Sequence, residues 1–156
     1  MATRSRIGII DNRTGEVTSI YCHWDGYPEH NGRLLVAHYA GESKVRELMA
    51  LGNISSLAPE IGVQHPFDTH DFPGGYVEHN KLYGHMCMAY GRDRGETGQE
   101  AEHSVSVQEY LNIDCGAEYY YIFHYGRWMV QSVYHNQDKH RDRWRLVEDY
   151  LEEEVA

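Results

Sequence analysis

The sequence predicts a single α+β domain over residues 1–156, with a mostly antiparallel sheet of four to five strands and helices packed on one face. The first reason is length, because 156 residues form one ordinary domain with a single core. The second is composition, since 41% hydrophobic and 24% charged residues are typical of a folded soluble protein. The third is the order of patterns: short alternating segments lie near both ends, with amphipathic segments between and after them.

The N-terminal segment predicts a hairpin. Residues 6–10 form a candidate strand, residues 11–15 a turn, and residues 16–24 a second strand with alternating character. The sequence Asp-Gly-Tyr-Pro at residues 25–28 then ends that strand.

Two helices are predicted next. Asn31 is suited to cap the first of them. The second carries an apolar stripe of Val45, Leu48 and Met49, and it ends before Gly52.

The middle of the chain is less regular. Residues 53–75 contain three prolines and several glycines, so we predict a long loop there. Residues 81–90 are predicted to form a third strand, which closes in a turn at residues 91–96.

The last third predicts a helix, a hairpin and a final helix. Ser106 and Glu109 have capping-box spacing at the start of a short helix over residues 106–112. Residues 119–123 and 127–134 form the predicted hairpin. The C-terminal helix has an apolar stripe formed by Trp144, Val147 and Leu151.

Charge and composition exclude several classes of partner. The net charge is −10, whereas duplex nucleic acid needs a basic protein face, so we expect no duplex partner. No apolar run reaches the roughly 20 residues of a membrane helix, and the N-terminus lacks the apolar segment of a signal peptide. We therefore predict a cytoplasmic protein with no membrane partner. Its three cysteines lack disulfide spacing and are expected to be reduced.

The first polar cluster lies at the end of the second predicted strand. Cys22 and His23 are adjacent on that strand, so their side chains point to opposite faces and cannot pair. His23 and Asp25 share a face, which makes them the candidate catalytic residues, with His23 as base and Asp25 as its orienter. The alternative is that Cys22 and Trp24 belong to the core and that Asp25 and Gly26 form a turn.

The second polar cluster is the turn after Tyr90. Arg92 and Arg94 could grip a phosphate, with Asp93 and Glu96 in the same turn. Alternatively, the two acids pair with the two arginines and simply fix the turn. Arg4 and Arg6 offer further cations, and candidate stacking residues for a base are Trp24, Tyr27 and Tyr90. We expect this turn and residues 23–27 to share one concave site, because both lie at strand ends.

The third polar cluster, at residues 65–71, combines histidines and aspartates, with His79 and His85 further along the chain. Such residues can bind zinc or iron, but this segment has no regular scaffold and the cysteines have no paired spacing. We predict no structural zinc and no cofactor.

Five strings of the sequence are distinctive: TRSRIGI (3–9), SIYCHWDGYP (19–28), KVREL (44–48), LGNISSL (51–57) and YGRDRGE (90–96). Together they resemble a family of small proteins, of no settled activity, encoded in tailed-phage and prophage genomes. The resemblance covers the first hundred residues well and the rest loosely. One departure is Asn53, where the family has an acidic residue.

A phage origin implies counter-defence or host takeover, which leaves three functional hypotheses. The first is binding, including sequestration, of a nucleotide-like or phosphorylated small ligand. The second is inhibition of a host defence protein through an acidic, Tyr-rich surface, since the chain has 13 Tyr and an acidic C-terminal segment. The third is a small hydrolase that uses His23 and Asp25. Apolar, Tyr-rich edges would also suit a homodimer.

Overall fold

The structure is a computed structural model that describes residues 2–133 and 144–155. One mixed β-sheet organises its fold. The strands in the described residues are β1 (Ser5–Ile10), β2 (Val17–Cys22), β3 (Ile54–Ser56), β4 (Met88–Ala89), β5 (Glu102–Ser104), β6 (Tyr119–His124), β7 (Arg127–Ser132) and β8 (Arg145–Leu146). The helices are α1 (Arg33–His38), α2 (Glu42–Leu51), α3 (Gly75–Tyr83), α4 (Tyr90–Arg94), α5 (Val107–Leu111) and α6 (Val147–Val155), with a π-helical turn (Pro28–Gly32) before α1.

The sheet is larger than predicted and mixed in direction. Its strand order is β4-β3-β2-β1-β6-β7-β8, and β5 also pairs with β2. The β1–β6 and β2–β3 pairs are parallel, and the other pairs are antiparallel. The α+β class is therefore confirmed, but the prediction of a sheet with four to five mostly antiparallel strands was wrong. Strands of two or three residues, such as β4 and β8, are too short to show alternation in the sequence.

Both predicted hairpins are present. In the first, Ile7 stands opposite Ile20, and the turn is held by the Asp11 carboxylate, which accepts the backbone N–H of Arg13 at 2.9 Å. In the second, Tyr125 and Gly126 take positive φ angles of 50° and 77° between β6 and β7, as a tight two-residue hairpin turn requires. The predicted strand end at residue 134 lies outside the described residues.

Two apolar clusters cover opposite faces of the sheet. Tyr121 and Phe123 of β6 belong to the larger cluster, with α1, α2 and α6. Tyr120 and Ile122 belong to a smaller cluster with α5. Since alternate residues of a strand point to opposite faces, the helices lie on both faces, and the prediction of helices on one face was wrong. Trp144 precedes α6 and packs against the smaller cluster instead of continuing the α6 stripe.

The helices differ from prediction mainly in the middle of the chain. α2 ends at Leu51 as predicted, with Gly52 at φ 80°. Ser106 caps α5 as predicted, because its hydroxyl accepts the Glu109 backbone N–H at 3.1 Å. Asn31 does not cap a helix; it is fully buried in the π-helical turn, and its amide contacts the Cys22 sulfur.

The predicted strand over residues 81–90 and turn over 91–96 were wrong. The first of these segments contains the end of α3 and the two-residue β4, and the second contains most of α4. β3 also falls inside the predicted loop over 53–75. α3 escapes sequence analysis because His79 is its one buried residue, so it has no apolar stripe.

The described helices include none with the length and apolar character needed to cross a bilayer.

Candidate functional site

A cavity of about 520 Å³ opens beyond the end of β2, between β3 and α3. This volume is in the range of sites that hold small molecules. Six of its lining side chains carry flat rings, and they come from four separate segments of the chain. These ring-bearing residues are Trp24, His30, Phe67, Tyr76, His79 and Tyr83. We call this space the aromatic cavity.

The aromatic cavity is also lined by polar groups. Among the lining residues in the described chain, Asp25 is the one carboxylate, and none is a Lys or Arg. Hydroxyl groups come from Ser55, Ser56, Thr69, Tyr76 and Tyr83, and an amide comes from Asn80. The cavity therefore offers ring faces together with several hydrogen-bonding groups, and its fixed charge is negative.

The Asp25–Gly26 loop is held rigidly at the cavity edge. Asp25 has a φ of 56°, a left-handed conformation that Asp tolerates better than most residues. The Gly26 N–H donates to the Thr3 carbonyl at 2.8 Å, and the Tyr121 hydroxyl donates to the Gly26 carbonyl at 2.6 Å. A Cβ at position 26 would lie 2.7 Å from the Cβ of Ser5, so only glycine fits. The Asp25 carboxylate is thereby presented from a fixed backbone.

His23 and Asp25 do not form the pair that the hydrolase hypothesis needs. The His23 Nδ1 lies 2.8 Å from the Tyr21 hydroxyl. Asp25 instead accepts a long hydrogen bond from the Tyr27 hydroxyl, at 3.4 Å. Burial, followed by the nearby Arg4 charge, lowers the pKa of His23 below its usual value. Neither residue therefore orients the other for proton transfer.

Cys22 is built into the core. It is fully buried, and burial raises the pKa of its thiol to about 12, although the Asn31 amide contact opposes the shift. Burial also raises the pKa of Cys87, which contacts the Tyr39 hydroxyl at 3.3 Å. A thiolate at either position is strongly disfavoured near neutral pH.

Thiol labelling of the native protein should therefore be confined to Cys115, the cysteine that is partly exposed. We expect one modification per chain with a thiol-specific reagent at pH 8, and three after denaturation. Peptide mapping by mass spectrometry identifies the position, and Cys115→Ser should remove the native reaction. Labelling of Cys22 in the native protein at the rate of Cys115 would contradict this assignment.

Arg92 and Asp93 form an internal pair. The Arg92 Nε and Nη2 donate to the two oxygens of Asp93 at 2.9 and 3.1 Å. The remaining Arg92 donors reach the carbonyls of Ile61 and Cys87, both at 2.8 Å. The Asp93 carboxylate is completely buried, and it also accepts backbone N–H groups from His65 and Ala89. Arg92 therefore joins α4 to the segment around Ile61, and its guanidinium presents no free pair of donors to a ligand.

Arg94 and Tyr90 do not line the aromatic cavity, but both contact Phe67, which does. The Arg94 guanidinium pairs with Glu96 and lies over the Phe67 ring, 4.4 Å from its centre. Tyr90 packs against the same ring, with centroids 5.5 Å apart. The expected shared site is thus formed in part: Trp24 and Asp25 line the cavity, and Arg94 and Tyr90 back its Phe67 wall.

The other predicted ligand residues lie elsewhere. Tyr27 contacts His30 at 6.2 Å between ring centres, next to the cavity lining. Arg4 precedes β1, and Arg6 lies on β1, where it donates to Ser19 of β2. None of these three residues is part of the lining itself.

Sequence analysis did not predict the α3 wall of the cavity, although it named His79 as a possible metal ligand. The His79 and Tyr83 rings meet edge to face in the lining, 5.1 Å between ring centres, and the His79 Nε2 donates to the Pro66 carbonyl at 2.6 Å. Their i, i+4 spacing was the available signal. Within the described ranges, no three His, Cys, Asp or Glu side chains are grouped to hold a metal ion.

Comparison with known proteins found no matching family model, curated protein or solved structure. The function is therefore argued from the geometry of the aromatic cavity.

Proposed function

We propose that this chain is a binding protein that takes up a nucleotide-like small ligand in the aromatic cavity. The role we propose is phage counter-defence or host takeover in the cytoplasm of the host, where the ligand would be sequestered. The observation that carries the binding proposal is the wall of flat rings around a space of about 520 Å³. The phage setting rests on the sequence resemblance alone.

The rings suit a planar ligand. Stacking on aromatic side chains is favourable for every nucleobase, because each has a π-face. Trp24 and Tyr76 keep 44% and 66% of their surface exposed, although both line the cavity. Large aromatic side chains left in water at a cavity edge are typical of a surface that a ligand covers.

Asp25 supports a preference for guanine. A carboxylate only accepts hydrogen bonds, and its two oxygens can accept two parallel N–H donors. Guanine presents N1–H and the 2-amino group side by side, whereas adenine and cytosine present only an amino group on that edge. The rigid Asp25–Gly26 loop makes this recognition selective, since its geometry is set before binding.

The base, more than a phosphate, supplies the recognition in this proposal. Of the arginines predicted to bind a phosphate, Arg94 lies over the ring of the lining residue Phe67, but it already pairs with Glu96. The hydrolase alternative receives no support from the separated His23 and Asp25. The inhibitor alternative and the homodimer stay predictions.

Calorimetric titration with guanosine, adenosine and cytidine tests the proposal. We expect guanosine to bind most tightly, and Trp24→Ala to weaken the binding of each nucleoside by about 1–3 kcal/mol through lost stacking. Asp25→Asn should remove most of the guanosine preference, and Asn tolerates the left-handed backbone at this position. Mass spectrometry of the recovered nucleoside separates binding from turnover.

Tyr125→Ala is the matched control, because Tyr125 is 71% exposed and lies outside the cavity lining. It should leave every affinity unchanged. If no nucleoside binds, or if Trp24→Ala binds guanosine as the unaltered protein does, the aromatic cavity is not a nucleobase site.

A further inference from the structure

His30, one of the rings of the aromatic cavity, is held by a buried amide. It lies in the π-helical turn, where the Tyr27 carbonyl accepts the backbone N–H of His30 at 3.0 Å and that of Asn31 at 3.1 Å. The His30 Nδ1 lies 2.8 Å from the side-chain oxygen of Asn31, which is completely buried. One edge of the imidazole is therefore fixed from inside the protein, while the ring lines the cavity.

The orientation of the Asn31 amide follows from its other neighbours. The amide nitrogen lies 3.5 Å from the Trp24 carbonyl oxygen, 3.3 Å from the Cys22 sulfur and 3.5 Å from the Ser5 hydroxyl. A carbonyl oxygen only accepts hydrogen bonds, so the amide nitrogen must face Trp24 and the amide oxygen must face His30. The same buried amide thus joins two residues of the cavity lining, Trp24 and His30.

This orientation sets the tautomer of His30. The Asn31 oxygen only accepts, so the proton of the neutral imidazole is on Nδ1, and Nε2 is left as an acceptor. Among the described residues Nε2 has no hydrogen-bond partner, and it is not one of their buried unpartnered polar atoms. Nε2 is therefore open to solvent on a ring that lines the cavity.

The second fixed acceptor of the cavity, the Asp25 carboxylate, lies at the same end. Asp25 and His30 both contact Tyr27: the Tyr27 hydroxyl is 3.4 Å from an Asp25 oxygen, and the Tyr27 ring centre is 6.2 Å from that of His30. Both acceptors also line the one cavity. A ligand that satisfies them must bring hydrogen-bond donors to both.

The proposed ligand has such donors. In the proposed nucleobase site the Asp25 carboxylate accepts N1–H and the 2-amino group of guanine, and the main donors left on guanosine are its ribose hydroxyls. A neutral imidazole nitrogen is a suitable acceptor for a hydroxyl. A phosphate offers acceptor oxygens, so it is a poor partner for this nitrogen.

We propose that the His30 Nε2 accepts a hydrogen bond from a ribose hydroxyl of the ligand, so that the aromatic cavity takes ribonucleosides in preference to dideoxyribonucleosides. The proposal rests on the proposed nucleobase site and extends it from the base to the sugar. Asn31 is a positioning residue, because it acts through His30 and does not line the cavity. A fixed acceptor disfavours a ligand without the hydroxyl, since the acceptor is then left unpaired.

Calorimetric titration at pH 8 with guanosine and 2′,3′-dideoxyguanosine tests the role of His30. We expect the unaltered protein to bind guanosine at least about fivefold more tightly than the dideoxy form. His30→Asn should bring the two affinities to within about twofold, because its amide can still donate to Asn31 but nothing replaces Nε2. His30→Phe, which keeps a flat ring, should have the same effect on the ratio.

The tautomer is measured without any ligand. Long-range proton–nitrogen NMR spectra at pH 8 should show His30 protonated at Nδ1 and unprotonated at Nε2, and the signals that disappear in His30→Asn assign the ring. A ring protonated at Nε2 overturns the role of Asn31 and with it the proposal. This measurement and the affinity ratio of the unaltered protein decide the question if neither His30 variant folds.

His38→Asn is the matched control, because His38 is exposed and lies outside the cavity lining. It should keep the full preference for guanosine. If the unaltered protein binds both nucleosides equally and Trp24→Ala weakens both, the His30 role is overturned and the nucleobase site stands. An unchanged preference in folded His30→Asn also overturns the His30 role. If neither nucleoside binds, the nucleobase site and the His30 role fail together.

Discussion

Asp93→Ala is expected to lower the free energy of unfolding by about 3–5 kcal/mol. Its carboxylate is completely buried and accepts hydrogen bonds from Arg92 and from the backbone N–H groups of Ala89 and His65, at 2.7 and 3.1 Å. Removing it leaves Arg92 without its counter-ion and leaves two backbone donors without acceptors. Loss of one partner from a buried ion pair costs far more than loss of an exposed pair.

Chemical denaturation measures this effect, and Glu96→Ala is the matched control. Glu96 also pairs with an arginine of α4, but that pair is exposed, so the control should change stability by no more than about 1 kcal/mol. Arg92→Ala should also destabilise the protein, because Arg92 joins α4 to the carbonyls of Ile61 and Cys87. Equal stability losses for Asp93→Ala and Glu96→Ala would contradict the structural role of the Arg92–Asp93 pair.

Tyr121→Ala should have a similar cost, about 3–5 kcal/mol, because it removes a fully buried ring from the larger core cluster. Tyr121→Phe keeps the ring and removes only the hydroxyl that donates to Gly26 at 2.6 Å. That change should cost about 1–3 kcal/mol, since the Gly26 carbonyl loses its buried donor.

The two Tyr121 variants separate packing from the hold on the Asp25–Gly26 loop. Denaturant melts of both give the stability difference. Guanosine titration of folded Tyr121→Phe reports on the loop, and we expect weaker binding because Asp25 is less firmly placed. If Tyr121→Phe costs as much as Tyr121→Ala, the ring contributes little and the core assignment is wrong.

Sequence patterns predicted the parts of the fold that are long and amphipathic. Strand-like segments on either side of a recognisable turn were enough to predict the β1–β2 and β6–β7 hairpins, and the Ser106 cap indicated α5. Helix α3 and the two-residue strands left no periodic signal, because α3 buries a single residue and β4 is too short to alternate. The parallel β1–β6 pair was also invisible, since nothing local encodes a contact between distant segments.

The same limit on what the sequence predicts applies to the candidate site. Trp24 and Asp25 were found because they follow a strand end, whereas the α3 wall was missed together with α3. Arg92 illustrates a different difficulty: adjacent Arg and Asp residues suit both a phosphate site and an internal pair. Burial of Asp93 decides between these two, and burial depends on segments far away in the sequence.

The parallel pairing of β1 with β6 has a consequence for synthesis of the chain. Ser5 pairs with Tyr119, so one edge of β1 stays open until most of the polypeptide has left the ribosome. Such high contact order slows folding, and an open strand edge in a nascent chain invites pairing with other chains. The β1–β2 hairpin can form early, but the central sheet closes only when β6 arrives. A chain terminated before β6 would therefore expose β1 permanently and tend to aggregate.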